Sequence, residues 1–341
     1  MIDKYLIRFA LLEDVDAIMS FINENWKKDH ILATNKSFFL YEYQCEERIN
    51  FALAIDVTNN KIVGICGFIK NTKAYINSSI WGSVWKVVKT DDPMLGIKIL
   101  EFVNTKSGCK VFSSCGIAPT TIPIYKFLRF QIGELNHYYR LNDKETYKVA
   151  KIVSKDIPKI IVNNEISFKE FDFFSDLQAY FDIASFSDSL PYKDSWYIEK
   201  RYFNHPIYQY KVVGIVNSLR QINSILITRE IECNGVKILR IVDFIGDYNQ
   251  LSEIDNAIQD LMNKNNYEYV DIYVGGFKLD SIEKSGFKLK TQDDLNCIPN
   301  YFEPFIQENI KIHYFTTSEQ DFLIFKGDGD QDRPNFMPHS K

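Results

Sequence analysis

The chain has 341 residues, enough at about 150 residues per domain for two domains rather than one small core. Hydrophobic residues make up 45% and charged residues 25%, which excludes the disordered and fibrous classes. Forty Lys+Arg against forty-five Asp+Glu leave a net charge of -5, so no basic surplus is available for a nucleic-acid backbone or an anionic membrane, and neither partner is expected.

Residues 4–10 (KYLIRFA) read as a strand. LLEDVDAIMSFINENW then places Leu12, Val15, Ile18, Met19 and Ile22 at helical spacing behind acidic residues that suit a helix start. INFALAID and KIVGICGFIK flank Asn59-Asn60 as a hairpin, and WGSVWKVVKT follows as a further strand. DDPMLGIKILEFVNTK reads as a helix with Asp91 or Asp92 as N-cap and Pro93 at its first position, then KVFSSCGIA as a strand and PTTIPIYKFLRF as a short helix. Residues 140–190 form a polar, Phe-rich connection. After it the order repeats: YKVVGIVN, SILITREIE, an Asn234-Gly235 turn, VKILRIVDFIGD, the helical LSEIDNAIQDLMNKNN, the strand YEYVDIYVGG and DSIEKSGFKL. Two copies of one fold is the economical reading.

The six cysteines form no C-x-x-C pair and have no His partner at zinc-finger spacing, so neither a metal site nor a disulfide framework is expected. Arg8, Glu13 and Asp14 interrupt the apolar stretch that a signal peptide would need, and no run reaches the length of a membrane span, so the expected location is the cytoplasm.

The strand holding Trp85, Val87 and Val88 runs through Thr90–Gly96 into a helix. Bare N–H groups at a helix start beside a glycine suit a pyrophosphate, and the same pattern also serves a proline-initiated helix with one packing glycine. With the later strand KVFSSCGIA and the helix carrying Tyr125-Lys126-Phe127-Leu128-Arg129-Phe130, this order resembles the Gcn5-related N-acetyltransferase (GNAT) superfamily. IRFALLED resembles the family's opening "IR-x-A-x-x-x-D". The Tyr125–Phe130 run resembles its "Y-x-x-x-G-F", with Arg129 in the place of the usual glycine. DDPMLGIKIL keeps Gly96 of the pyrophosphate turn but lacks the preceding Arg/Gln and the second glycine. In the second copy, Gly286-Phe287 keeps the "G-F" ending without the Tyr, and the acidic DFIGDYNQLSEID opposes a diphosphate.

The resemblance implies an α/β (α+β) chain of two tandem GNAT-like domains, each a central mixed sheet flanked by helices. Residues 1–145 would bind acyl-CoA, and 146–341 would supply acceptor-binding segments. More narrowly, GDGDQDRPNF and RYFNHPIYQY prompt a resemblance to the tandem GNAT sugar N-acyltransferases of surface-polysaccharide (O-antigen, lipopolysaccharide) biosynthesis. These acylate the amine of dTDP-linked 3-amino-3,6-dideoxyhexoses, some from 3-hydroxybutanoyl-CoA. The implied activity is acyl-CoA-dependent N-acyl transfer, of an acetyl or 3-hydroxybutanoyl group, to a nucleotide-linked amino sugar. A FemABX-like aminoacyl transferase and a non-catalytic, degenerate GNAT binding module are the alternatives, and the negative net charge disfavours the tRNA that the first would need.

The implied cofactor contacts are Val87, Val88, Met94, Leu95, Gly96, Ile97 and Lys98, with Val87 and Val88 also offering backbone N–H groups to an oxyanion. Tyr125 is either the general acid for the leaving thiolate or a core Tyr on an amphipathic helix. Among His30, His137, His205, His313 and His339, only His205, in its aromatic cluster, is a candidate base, together with Asp243; solvent is the alternative acceptor of the proton. Cys115 would be a covalent nucleophile only if activated, and an apolar setting leaves it inert. Trp81, Trp85 and Tyr208 can stack on a base or sugar, or face a sheet neighbour. The polar, Gly-rich GDGDQDRPNF reads by default as a solvated tail, or else it folds back so that Asp330, Asp332, Arg333 and Asn335 meet an acceptor.

Overall fold

The computed structural model describes residues 4–74, 78–159, 166–276 and 279–337. The chain divides into two compact units, one of residues 1–132, 315–319 and 329–341, the other of 133–314 and 320–328. Each is built on its own mixed sheet.

In the first unit, β1 (Tyr5–Leu11), β2 (Arg48–Asp56), β3 (Lys61–Lys70) and β4 (Ser79–Val87) run antiparallel in that order, and β5 (Val111–Ile117) joins β4 in parallel. The sequence motif IRFALLED explains its own turn. Arg8 grips Asp14 with two bonds of 2.7 and 2.8 Å, and Asp14 also accepts the Leu11 N–H, which sets the angle into α1 (Val15–Asn25). Val15, Ile18, Phe21 and Ile22 then form the buried stripe of α1. Helix α2 (Lys36–Tyr43) is capped by Asn35, which accepts the Phe38 N–H. In the β2–β3 hairpin Asn60 takes the left-handed conformation, φ 55°, as the Asn59-Asn60 turn requires.

Helix α3 (Leu95–Lys106) crosses from β4 to β5 and buries Leu95, Ile99, Leu100 and Val103, each worth about 1.5–3 kcal/mol of removed apolar surface. The helix begins at Leu95, not at Pro93: the Asp92 side chain accepts the Met94 N–H, so Asp92–Met94 form a turn ahead of the first helical residue. The short helix α4 (Ile122–Phe127) completes the layer.

The second unit holds β6 (Asn136–Leu141), β7 (Ser167–Phe171), β8 (Tyr210–Val216), β9 (Ile222–Cys233), β10 (Val236–Gly246) and β11 (Tyr269–Gly275). Their order is β6-β11-β10-β9-β8-β7, with β10 and β11 parallel across helix α5 (Asp255–Asn265). Asn234 and Gly235 both have positive φ, 53° and 73°, as a two-residue hairpin turn demands. The element order of the first sheet is thus repeated.

The division between units differs from the one expected at residue 145. Strand β6 pairs with β11 from Asn136↔Val274 to Leu141↔Tyr269 and therefore belongs to the second sheet. Two late segments belong to the first unit. Phe315 enters its core against Phe112 (ring centroids 5.2 Å) and Tyr125 (4.3 Å). Among the described residues no helix is long and apolar enough to cross a membrane, and no cluster of His, Cys, Asp and Glu could hold a metal.

Candidate active site

The parallel partners β4 and β5 pair only at Ser79↔Val111, Ile80↔Phe112 and Trp81↔Ser113, so no backbone pairing joins the strands beyond that point. The register of β3 and β4 explains why. Cys66 faces Trp85 and Phe68 faces Gly82, two steps on β3 against three on β4, which leaves one extra residue at Ser83–Val84. Such a bulge bends a strand and re-aims its side chains. Trp85 and Val87 accordingly join Ile80 in the core beneath α3, while Ser83 hydrogen-bonds Tyr43 and Asp330.

The end of β4 leads to the start of α3. The N–H groups of Gly96 and Ile97 have no hydrogen-bond partner among the described residues, whereas those of Leu95 and Met94 are taken by Asp92 and that of Lys98 by the Met94 carbonyl. A Cβ on Gly96 would meet Trp85 and Val87 at 3.4 and 3.5 Å, and the Trp85 indole donates to the Gly96 carbonyl at 3.2 Å. The two acidic residues at this helix start, Asp91 and Asp92, are each paired with a lysine. Lys98 (2.7 Å) and the Met94 N–H hold the Asp92 carboxyl below its usual range; Lys4 (2.7 Å) and the Tyr5 hydroxyl do the same for Asp91. Val88 is not a free donor, since its N–H bonds the Val63 carbonyl at 2.9 Å. Leu95 is buried, so only its backbone can face a ligand, while Met94 is exposed.

Tyr125 projects from α4 onto Trp85, with ring centroids 5.8 Å apart, and stacks on Phe130 at 6.3 Å. It is 4% exposed, and burial, helped by the neighbouring Cys66, raises its hydroxyl well above the ordinary tyrosine value. Arg129, four residues on, has φ +62°, and Gly286 of the second copy has φ +77°. Both positions are left-handed, which gives the physical reason for a glycine in the motif and identifies Arg129 as the strained exception.

Trp85, Val87, Gly96 and Tyr125 are therefore gathered in one place. The remaining sequence candidates are distributed otherwise. Trp81 is fully buried, with Gly329 against it, and offers no stacking face. The tail GDGDQDRPNF (327–336) folds back: Gly327, Asp328, Gly329, Asp332 and Pro334 are buried, and only Phe336 is exposed. Asp330 accepts from the Ser83 hydroxyl at 3.0 Å, and Arg333 bonds Tyr43 (2.9 Å) and Asp330 (3.1 Å). The Gln331 side chain lies where a Cβ on Gly116 (φ +81°) would be. Asp330 and Arg333 thus reach the bulge of β4, already bonded to protein groups. Asn335 is likewise engaged, accepting from Lys27 and from the Ile31 N–H. Sequence reasoning missed Tyr43, Ser83 and Gln331, whose only signals were a polar residue inside an apolar strand and a polar tail.

His205 and Asp243 belong to the second unit and Tyr125 to the first. The His205 Nδ1 accepts the N–H groups of Ile207 and Tyr208, which holds a turn, and Tyr208 carries Arg229 over its ring at 4.1 Å. Asp243 is fully buried against Lys193 (2.5 and 2.6 Å), Tyr202 and the Phe244 N–H, so it is closed off from an incoming amine. Cys115 is buried, which favours its inert reading, and burial pushes the His30 imidazole down to about 3. His339 lies outside the described residues.

The second copy has the same strand divergence, and there backbone pairing closes it. After Ile241↔Ile272, β12 (Ile324–Phe325) pairs with β11 at Val274 and Gly275, and the Gly327 N–H donates to the Val242 carbonyl at 2.7 Å. The chain's own C-terminal strap occupies the space between β10 and β11.

No known family's sequence profile matches the chain, and no curated protein is similar to it in sequence. Solved structures do resemble it. A putative acetyltransferase from Pyrococcus horikoshii aligns over 94% of this chain and 92% of its own, at 10% identity and a TM-score of 0.50. A GCN5-related N-acetyltransferase from Anabaena variabilis (9% identity, TM-score 0.57) and a probable N-acyltransferase from Enterococcus faecalis (8%, 0.55) each align over 92% of this chain and 72% of theirs. The fold is a tandem GNAT-like one. At these identities the likeness is one of architecture, and the GNAT-like chain's chemistry rests on its own residues.

Proposed function

We propose that this GNAT-like chain is an acyl-CoA-dependent N-acyltransferase whose first unit holds the acyl-CoA. The observation that carries the reading is the bulged β4, parting from its parallel partner and ending at a helix start with two unpartnered N–H groups. In this reading the diphosphate takes the N–H groups of Gly96 and Ile97, with Lys98 beside them, and the thioester reaches the gap between β4 and β5. A backbone N–H of the bulged stretch, where the pairing lapses, meets the developing oxyanion in place of Val88. The amine attacks the carbonyl carbon, the C–S bond breaks, and Tyr125 gives its proton to the departing thiolate, while solvent takes the proton of the amine. Holding the two reactants in near-attack geometry supplies most of the acceleration, up to about 7–11 kcal/mol in favourable cases.

In the second unit a backbone strand closes the divergence, whereas in the first the tail meets β4 and β5 through the Asp330 and Gln331 side chains without strand pairing among the described residues, and this difference supports assigning the cofactor to the first. For the acceptor we propose the amine of a nucleotide-linked amino-dideoxy sugar, a dTDP-3-amino-3,6-dideoxyhexose, on the strength of the GDGDQDRPNF and RYFNHPIYQY segments. The test is thiol release from acetyl-CoA and 3-hydroxybutanoyl-CoA with that sugar nucleotide as acceptor, beside a thermal-shift series with CoA. Stabilisation by CoA and sugar-dependent thiol release are expected. A chain indifferent to CoA would favour a binding module that does not use it.

A further inference from the structure

The second unit contains a pocket of about 290 Å³ whose lining includes Glu134, Asn136, His137, Tyr273, Lys290 and Lys311. His137 and Tyr273 are cross-strand partners of β6 and β11, their rings stacked at 3.9 Å and 12°. The His137 side chain is only 9% exposed, and its Nε2 lies 3.2 Å from Asp271 Oδ2. Asp271 is fully buried and doubly bonded by Arg240, at 2.9 Å from Nε and 2.7 Å from Nη2. Arg240 also donates to the backbone carbonyls of Asn300 and Pro299. Burial works against the Asp271 carboxylate, and Arg240 more than reverses that effect, holding it down to about 2.

These contacts determine the state of the imidazole. An ionised carboxylate only accepts, so the nitrogen facing Asp271 carries the hydrogen, and in the neutral ring Nδ1 then presents its lone pair. No group among the described residues bonds Nδ1, and burial, outweighing the Asp271 carboxylate, holds the ring below its ordinary value and so neutral. The charged groups of the lining are engaged within or beside it: Lys311 pairs with Glu134 at 3.0 Å, the Lys290 ammonium bonds the carbonyls of Asp294 and Thr291, and the Asp294 carboxylate accepts from the Tyr139 hydroxyl and the Asn296 N–H. The pocket is therefore lined by a neutral imidazole with one unpartnered nitrogen, stacked on an aromatic wall, and its charged groups are already engaged. An acceptor-only anion such as phosphate or a carboxylate would meet that lone pair with repulsion.

We propose that this pocket is a second small-molecule site, taking a polyhydroxylated ligand of about monosaccharide size whose O–H or N–H donates to His137 Nδ1. The inference stands on the second unit alone and is independent of the acyl-transfer reading. The test is long-range ¹H–¹⁵N spectroscopy of the full chain labelled at histidine, titrated with D-glucose and D-glucosamine in parallel. The expected result is a neutral His137 protonated at Nε2 and a saturable millimolar shift of its Nδ1 resonance with at least one of the sugars. His137→Phe, which keeps a ring on Tyr273, should then weaken that binding about tenfold, the equivalent of one lost hydrogen bond, with some loss of stability because the buried Asp271 keeps only its Arg240 bonds. An Nδ1-protonated ring, no saturable shift with either sugar, or undiminished binding by folded His137→Phe would overturn the proposal. The wild-type spectra decide it even if the variant fails to fold.

Discussion

Replacing Gly96 by Asp probes the α3 start most sharply. Its Cβ would meet Trp85 and Val87 at 3.4 and 3.5 Å, ordinary contact distances, so the variant has room to fold. A carboxylate in the first helical turn is even favoured by the helix dipole, by about 0.3–1 kcal/mol. What it should damage is acyl-CoA binding, because it puts a negative charge beside the unpartnered N–H groups of Gly96 and Ile97. Two like charges about 4 Å apart repel by about 4 kcal/mol at an effective dielectric near 20, and by about 1 kcal/mol in water. Taking an intermediate value of about 2 kcal/mol, the dissociation constant for CoA should rise about 30-fold, and less at high salt. Gly96→Ala is the control for size. It should stabilise the helix by about 0.5–1 kcal/mol without the charge penalty. Calorimetric titration with CoA at low and high salt, with a melting curve for each protein, reads all of this. A folded Gly96→Asp chain that binds CoA like the wild type would refute the placement of the diphosphate.

Three other substitutions test neighbouring parts of the account. Tyr125→Phe keeps the packing on Phe315 and deletes the donor, so kcat should fall about 100-fold, the lower end for a lost general acid, with CoA affinity preserved; wild-type kcat would remove Tyr125 from the mechanism. Arg129→Gly relieves a residue at φ +62° and should raise stability by up to about 1 kcal/mol in urea unfolding, and a loss would show that the Arg129 side chain matters more than its backbone. Asp328, buried in the second unit, is pushed up by that burial, against the pull of Lys193, to about 6. A raised carboxyl contributes stability that is present below its unfolded value and lost as pH rises through the folded one, here between about 4 and 6. Asp328→Asn should therefore gain on the wild type as pH is raised across that window, and a gain that shrinks instead would contradict the assignment.

Most strands and helices of both copies were legible because their apolar spacing is regular, and the two hairpin turns because asparagine and glycine take the positive φ they need; α2, β6 and β7 were not, and β7 lies within residues 140–190, which read as a connection. The bulge at Ser83–Val84 was not. It depends on the register against β3, and the sequence WGSVWKV reads as an uninterrupted strand. The tail misled for a different reason. Asp328 and Arg333 look like surface residues until their partners are known, and Lys193, Tyr43 and Ser83 lie far away in the chain. The same holds for Asp243, a candidate base by sequence, whose carboxylate is taken by Lys193 and Tyr202. Local pattern reports which elements form, while charge pairing over long separations decides which polar residues remain free to act.

The most direct test of the central claim is a crystal structure of the full chain with CoA. The account predicts the diphosphate on the N–H groups of Gly96 and Ile97 and the thiol end directed between β4 and β5 toward Tyr125. CoA bound at the start of α5 in the second unit, or absent from crystals of protein that transfers acyl groups, would contradict it.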